Sequence, residues 1–463
     1  MKIEYNTIME RDRNDLATEI FYAALKAVDP YNAVRLYTDK IRSIYQGGDF
    51  NRLIVIAFGK AACPMAKAVE DELGDLIDTG IAITKSSGKE ETPLHPSTRG
   101  EDTNSPCLFT PSPLHHFTLF NANHPVPDEK GLKATDEVIK LIKGADEKAI
   151  VLCLISGGGS ALLVSPCEGI TLSEKQEITE LLLKAGADIY ELNTVRKHIS
   201  KVKGGRLAEI AYPARIISLI LSDVIGDRLD VIASGPTAPD RTTFRDALMV
   251  LDKYGLIDIA PENVIKLLQK GAEGLIKETP KDGDLIFKNV DNIIIASNRK
   301  ALEAAKARAE GLGFNAEIIS SEITGEAREV GKWLADIARA KCSNRSNRST
   351  CLISGGETTV TVKGNGKGGR NMELAIAFAM EIEGIKGITL LSAGTDGTDG
   401  PTDAAGAIVD GETIKKARAM GLNPEEYLDN NDSYNFFKKT DELYITGPTG
   451  TNVMDIQIVI IEK

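Results

Sequence analysis

Short, nearly unbroken apolar runs alternate along this chain with longer stretches of helical period. LIVIAF (53–58), AIVLCLI (149–155), IISLIL (216–221) and NIIIAS (292–297) have the length and composition of strands buried on both faces of a parallel sheet. Helical patterns fill 14–27, 31–46, 132–143 and 173–189, a further helix comes after Gly59-Lys60, and 80–84 is another strand candidate. Strand–helix–strand alternation of this kind predicts an α/β fold whose N-terminal part is a doubly wound, mostly parallel, Rossmann-like sheet. NIIIAS opens a second series. It has helices over about 298–312 and 325–341, a strand CLIS (351–354), an alternating strand TTVTV (358–362) and a helix over about 370–383. A strand ITLLSAG (388–394) and a terminal strand pair, 442–446 with 455–461, complete it. The pattern predicts two α/β/α domains, 1–290 and 291–463. The second is smaller and built on a mixed sheet, and helices over 239–290 make the connection.

Composition narrows the classes. A chain of 463 residues, 42% hydrophobic and 26% charged, has the material for two or three packed cores. No apolar run approaches the roughly 20 residues of a membrane helix, and the first residues lack the apolar stretch of a secretory signal. These features point to the cytoplasm and away from a membrane. A net charge of −12 argues against a general nucleic-acid binder. The six cysteines form no CxxC pair, and Cys153 and Cys351 read as small core residues.

Candidate chemistry collects where apolar runs end. Ligands of doubly wound sheets bind at the carboxyl ends of the strands. Those ends carry Gly59-Lys60, Ser156-Gly157-Gly158-Gly159-Ser160, Ser222-Asp223, Ser354–Glu357 and Thr395-Asp396. The SGGGS turn suits an anion, because bare backbone N–H groups can approach phosphate oxygens and Ser160 adds a hydroxyl. It is not GxSxG, since Leu162 takes the last position. RKHISKVKGGR (196–206) concentrates positive charge in an acidic protein, and Arg196, Ser200 and Lys203 can share one helical face as an anion cradle. Asp223 and Asp227, and Asp396, Asp399 and Asp403, offer oxygen ligands for Mg²⁺ or an acceptor for a hydroxyl proton. GNGKGGRNME contains a literal GxGxxG (Gly364, Gly366, Gly369), which suggests a dinucleotide site. The alternating TTVTV before it and the cations Lys367 and Arg370 suit a triphosphate better. His95, His115, His116 and His124 gather in or beside a long loop at 92–118. That raises a zinc site which no HExxH or Cys/His spacing supports.

Taken together, FGKAA (58–62), NHPVPDEKG (123–131), SGGGSALL (156–163), TVRKHISKVKGGRLA (194–208), SDVIGDRLDVIASGPT (222–237), SGGETTVTVKGNGKGGRNMELA (354–375), SAGTDGTDGPTDAAGA (392–407) and TGPTGTNVMDI (446–456) resemble the class II glycerate kinases, whose C-terminal module is called MOFRL. The resemblance spans nearly the whole chain in order. It implies two α/β/α domains with the active site in the cleft between them, ATP, Mg²⁺, and D-glycerate as acceptor, with 2-phosphoglycerate the usual product. The family's active-site lysine would fall on Lys60 and its GGRN arginine on Arg370. Asp223, Glu357, Asp396 and Asp399 match acidic positions of its cleft. The chain departs from the family between 86 and 122, and GRNME replaces the commoner GRNQE, with Met372 expected on the core side of its helix.

For such a kinase, Lys60, Arg196 and Lys203 are expected to bind anionic groups, and Ser156–Ser160 to donate backbone N–H groups. Asp396 or Asp399 positions Mg²⁺ or takes the proton of the attacking hydroxyl, with Asp223 a second metal candidate. Arg370 offsets charge on the transferring phosphoryl group, and Glu357, Gly366, Gly369 and Asn371 line the nucleotide or substrate. Two other readings stand beside this one: a nicotinamide-dependent hydroxypyruvate reductase, suggested by the GxGxxG, and a nucleotide-binding regulator without turnover. The sequence leaves a homodimer open.

Overall fold

The computed structural model describes residues 12–86, 114–343 and 348–462. His95, Cys107 and most of the 92–118 loop lie outside them. Six strands make the first sheet: β1 (Arg52–Phe58), β2 (Ile77–Lys85), β3 (Phe117–Ala122), β4 (Ala149–Ile155), β5 (Arg215–Leu221) and β6 (Val290–Ala296). Six more make the second: β7 (Asn315–Ile323), β8 (Thr350–Gly356), β9 (Ile388–Gly394), β10 (Gly406–Asp410), β11 (Leu443–Tyr444) and β12 (Asp455–Ile461). Helices α1 (Arg13–Ala27) and α2 (Pro30–Gly47) precede β1, α3 (Ala62–Leu73) comes after it, and α4 (Glu129–Lys143) comes after β3. Then come α5 (Leu172–Lys184) and α6 (Ile189–His198) after β4, α7 (Phe244–Lys253) and α8 (Glu262–Ala272) after β5, α9 (Asn298–Gly311), α10 (Ala327–Ser343) and α11 (Arg370–Glu381).

The first sheet runs β3-β2-β1-β4-β5-β6, and its β3/β2, β2/β1, β1/β4 and β4/β5 pairings are parallel. This is the strand order of doubly wound folds, and it reverses direction between β1 and β4. Both strands are almost wholly buried, as continuous apolar runs require, and Phe58 pairs with Ile155 so that the two strands end side by side. The loops leaving β1 and β4 therefore meet at the switch point. The second sheet runs β11-β10-β9-β12-β8-β7. It is mixed: β7 and β8 are parallel, while β12 lies antiparallel to both β8 and β9. The expected pairing of the two terminal strands does not occur. β11 pairs with β10 at the edge, and β12, apolar throughout, enters the buried middle. TTVTV forms no strand either. Val362 is exposed, and Thr359 makes only an isolated bridge to Glu326.

The described chain divides into two compact units. One holds Val34–Ile220 and Leu229–Ile293, here the N-terminal unit; the other holds Met1–Ala33, Leu221–Arg228 and Ile294–Lys463, here the C-terminal unit. The division differs from a single cut at 290/291, because α1 packs on α9 and β12 while Leu221–Arg228 joins the second unit. Residues 239–290, expected as a connection, are an integral layer of the N-terminal unit. There α5, α6, α7 and α8 bury Ile178, Leu182, Val195, Phe244, Leu251 and Leu268 together. Capping boxes at Thr171/Glu174, Asp188/Glu191 and Thr243/Asp246 start α5, α6 and α7, satisfying backbone donors that would otherwise be unpaired. Among the described residues no helix is long and apolar enough to cross a membrane.

Candidate active site

In the N-terminal unit the site grows from the ends of β1 and β4. The chain leaves β1 through Gly59 at φ +124°, where a Cβ would lie 2.2 Å from the Ser156 hydroxyl, so only glycine fits. That approach lets the Lys60 N–H donate to the Gly157 carbonyl at 2.8 Å and the Ala61 N–H donate to Ser156 Oγ at 3.0 Å. Lys60 is exposed, and its ammonium makes no hydrogen bond or ion pair among the described residues. In the SGGGS turn, Gly158 has φ +80° and faces the His124 ring and the Lys60 stem, while Gly159 abuts Phe58 and Ala233. The N–H groups of Gly157, Gly158 and Ser160 donate to nothing among the described residues, which is the property an anion-binding turn needs. His124 joins this group. Burial, then Lys60, then Lys85 drive its imidazolium down to about 4, so at neutral pH it is an uncharged ring beside two lysines. It stands out in the sequence only within the His-rich stretch; its place beside Lys60 results from β3 pairing with β2.

The basic segment does not form one helical face. α6 ends at His198, and the chain turns through Gly204 and Gly205, both with positive φ, so Arg196 lies on the helix and Lys203 beyond it. Lys203 is 1% exposed and spends its ammonium inward, on the Ser160 carbonyl (2.8 Å), Ser160 Oγ (3.2 Å) and the Leu163 carbonyl (3.4 Å). It braces the turn rather than facing a ligand. Ser160 Oγ also meets Ser234 Oγ at 2.6 Å, and Ser234 donates to Asn193 on α6. Ala233 and Ser234 hold positive φ, an uncommon backbone for non-glycine residues. A cavity of about 400 Å³ in this unit is lined by Tyr37, Arg215 and Asp291. It therefore opens at the amino ends of β5 and β6, away from this chemistry.

The C-terminal unit builds a site of opposite character. β12 starts between the ends of β8 and β9, with Asp455 paired in register to Gly356 and Gly394. Arg370, the first residue of α11, grips Asp455 with Nε (2.6 Å) and Nη2 (3.0 Å), and its Nη1 donates to Glu357 at 2.7 Å. Burial opposes the charge of Arg370, but Asp455 and then Glu357 hold its guanidinium above the ordinary range. Asp455 is fully buried, which pushes its carboxyl up, and the two-pronged guanidinium opposes that rise. Asp396 Oδ1 and Asp455 Oδ1 flank Gly394, at 3.4 and 3.6 Å from the position its Cβ would take.

Asp399 and Asn371 turn inward. Asp399 accepts from the Asn371 and Met372 N–H groups (3.1 and 2.9 Å), so its carboxylate caps α11 in place of the missing side chain at Gly369. Burial drives its carboxyl up to about 7 against those two bonds. Asn371 is buried and accepts from Ser392. Met372 is fully buried, on the core side as expected. The glycines of the GxGxxG are also explained by protein contacts. A Cβ on Gly364 would meet the Asn430 backbone, on Gly366 the Asp432 Cβ, and on Gly369 the Asp399 carboxyl. They let the loop pass the 430–433 segment, and the N–H groups that would receive a pyrophosphate are taken by Asp399. That removes the structural basis for a dinucleotide motif here.

Asp223 lies in the same unit, next to a polar cavity of about 290 Å³ lined by Asp227, Asn298, Arg299 and Glu322. Asn298 donates from one amide group to the Val453 and Asp455 carbonyls, and its Oδ1 is buried without a partner. No group of three His, Cys, Asp or Glu residues converges as a metal cage among the described residues. A Mg²⁺ bound mainly by phosphates and water needs only one or two carboxylates. Asp396 fits that demand: Thr398 occupies Oδ1, and Oδ2 makes no hydrogen bond among the described residues.

A parallel sheet with a lysine and an anion turn at its switch point, joined in one chain to a mixed sheet with an arginine–carboxylate cluster, defines a protein that handles polyanions. Comparisons with known proteins identify the kind. Residues 16–269 match a family described as a domain of unknown function (DUF4147), and residues 350–455 match the MOFRL family. The chain is 47% identical over 448 residues to D-glycerate 2-kinase of Thermotoga maritima, covering 96% of this chain and 98% of that one. The crystal structure of a glycerate kinase from the same organism superposes with a TM-score of 0.83 at 46% identity, covering 96% of this chain and 99% of that one. A relative in Agrobacterium vitis, 37% identical over 96% of this chain and 93% of its own length, carries a provisional hydroxypyruvate reductase name. This chain belongs to the glycerate kinase family that ends in a MOFRL module.

Proposed function

We propose that this protein transfers the γ-phosphoryl group of ATP to a hydroxyl of D-glycerate, giving 2-phosphoglycerate and ADP. The observation that carries the reading is Lys60: exposed, unpaired among the described residues and seated by Gly59 beside the SGGGS turn, in a chain 47% identical to a D-glycerate 2-kinase. The glycerate hydroxyl oxygen attacks the γ-phosphorus, its proton passing to Asp396 or to solvent water, while the bond to the β–γ bridging oxygen breaks and ADP leaves with its electron pair. Lys60 and the open N–H groups of the turn stabilise negative charge at the phosphoryl oxygens. His124, neutral beside Lys60, can accept or donate a hydrogen bond without adding charge. Asp396 would hold Mg²⁺, which when bound would neutralise phosphate charge. Arg370 acts at the phosphates only as one member of its cluster with Asp455 and Glu357. Asp399 and Lys203 act one step back, fixing α11 and the SGGGS turn. Purified protein with ATP, Mg²⁺ and D-glycerate is expected to yield 2-phosphoglycerate, resolved from the 3-isomer by NMR. Absence of any ATP-dependent phosphoglycerate would reject the reading. Hydroxypyruvate-dependent loss of reduced-nicotinamide absorbance in its place would favour the reductase.

A further inference from the structure

The N-terminal unit neutralises its buried charges with care, which makes two exceptions informative. Lys197, 3% exposed, donates to the buried Asp240 at 2.5 Å, and Asp240 is further held by Thr242 and Thr279. His198 pairs with Glu278 at 3.0 Å. Lys175, one turn into α5, is 2% exposed, yet its ammonium has no partner among the described residues. Arg196, next to Lys197 on α6, has a sealed and unpartnered Nε, and its guanidinium makes no hydrogen bond or ion pair among the described residues. Lys203 is close enough to both to be disfavoured by their charge, and it is already committed to Ser160. Three cations thus meet behind the SGGGS turn, and no carboxylate joins them among the described residues. Burying unpaired cations costs several kcal/mol unless an anion arrives to balance them.

We propose that Lys175 and Arg196 form a subsite for the carboxylate of the hydroxy acid. Lys175 is too deep for anything but a small terminal group. Arg196, only partly covered, gives the planar two-pronged donor that matches a carboxylate and opens the subsite to solvent. A triphosphate with its Mg²⁺ needs carboxylate ligands, and those belong to the Asp396 cluster of the other unit. Lys175 is absent from the residues singled out by sequence; as one lysine in SEKQE it reads as a solvated helix face. The inference rests on the glycerate kinase reading, so turnover by the unchanged protein is measured first, and its absence refutes that reading independently.

The discriminating variants are Lys175→Met and Arg196→Met. Each is expected to raise KM for D-glycerate at least tenfold while KM for ATP stays within twofold, and to abolish the thermal protection that D-glycerate alone gives the unchanged protein. Lys175→Met without ligand is expected to melt at or above the unchanged protein near pH 7, because it removes a buried charge that has no partner. A structural lysine would give the opposite: a lower melting temperature with KM for D-glycerate unmoved, which overturns the proposal. A rise confined to KM for ATP overturns it too, assigning the cations to the nucleotide. If Lys175→Met does not fold, the proposal fails for Lys175, and Arg196→Met alone decides whether the carboxylate binds here.

Discussion

At the ends of β1 and β4, Lys60 stands with no carboxylate beside it among the described residues. At the ends of β8 and β9, Arg370 is clasped by Asp455 and Glu357. Both are cations at the rim of a sheet, yet they pose different physical problems. Lys60 keeps its hydration and waits for an anion. Arg370 is already paired with two carboxylates, so its guanidinium is held in place rather than free. On the proposed function, the N-terminal unit attracts negative charge and the C-terminal unit arranges it. The contrast shows that a conspicuous arginine in a glycine-rich motif can owe its position to a partner the motif does not contain.

The sharpest way to break the comparison is to remove each cation. Lys60→Ala is expected to lower kcat/KM by about 10²–10³-fold, the usual loss for one positioned charge-stabilising donor, with an unchanged melting temperature because the side chain supports nothing. Arg370→Ala is expected to lower activity and also to cost about 3 kcal/mol of stability, since it leaves the carboxylate of Asp455 buried and alone. Kinetics and thermal melts of the two variants check this; equal melting temperatures would erase the distinction.

A smaller effect separates the units by pH. Lys175 has its ammonium drawn down to about 7, first by burial and then by Arg196, so above pH 7 the unfolded chain binds more protons than the folded one and stability rises with pH. Asp399 is displaced the other way. With its folded carboxyl near 7 and the unfolded value near 4, the folded state holds more protons in that interval, and the contribution of Asp399 is lost as pH climbs through it. Melting curves from pH 4 to 9 are expected to show Asp399→Asn flattening the fall below pH 7 and Lys175→Met flattening the rise above it. The smallest effect on activity is expected of Gly366→Ala, whose methyl would press on Asp432 and the Asn430 carbonyl at a stability cost of about 1–3 kcal/mol. Thermal melts with ATP titration check it: protection by ATP should be as large as in the unchanged protein. A lost ATP effect without destabilisation would restore the glycine loop as a phosphate cradle.

Much of this is legible in the residues alone. The apolar runs at 53–58, 149–155 and 216–221 are strands of one sheet, and the polar residues after them converge because parallel strands end together. The features that escape such a reading have a common cause. Asp455 precedes an apolar run, and only the antiparallel insertion of β12 carries a strand's beginning to its neighbours' ends. Lys203 and Asp399 are visible as charges, but their inward direction depends on Ser160 and on the bare start of α11. TTVTV alternates as a strand should but makes only an isolated bridge, Thr359 to Glu326, among the described residues. Local pattern describes what a segment can do, and the tertiary environment decides which option is used.

The placement of β12 has a consequence for how the molecule comes into being. The strand at the heart of the second sheet is the last of its six in chain order, so a nascent chain on the ribosome must carry β8 and β9 with their inner edges unjoined until residues 455–461 emerge. Arg370 meets Asp455 only then. Synthesis therefore delivers a cation-bearing sheet early and a working arginine late, and translation arrested in between would leave two apolar strands in need of a chaperone.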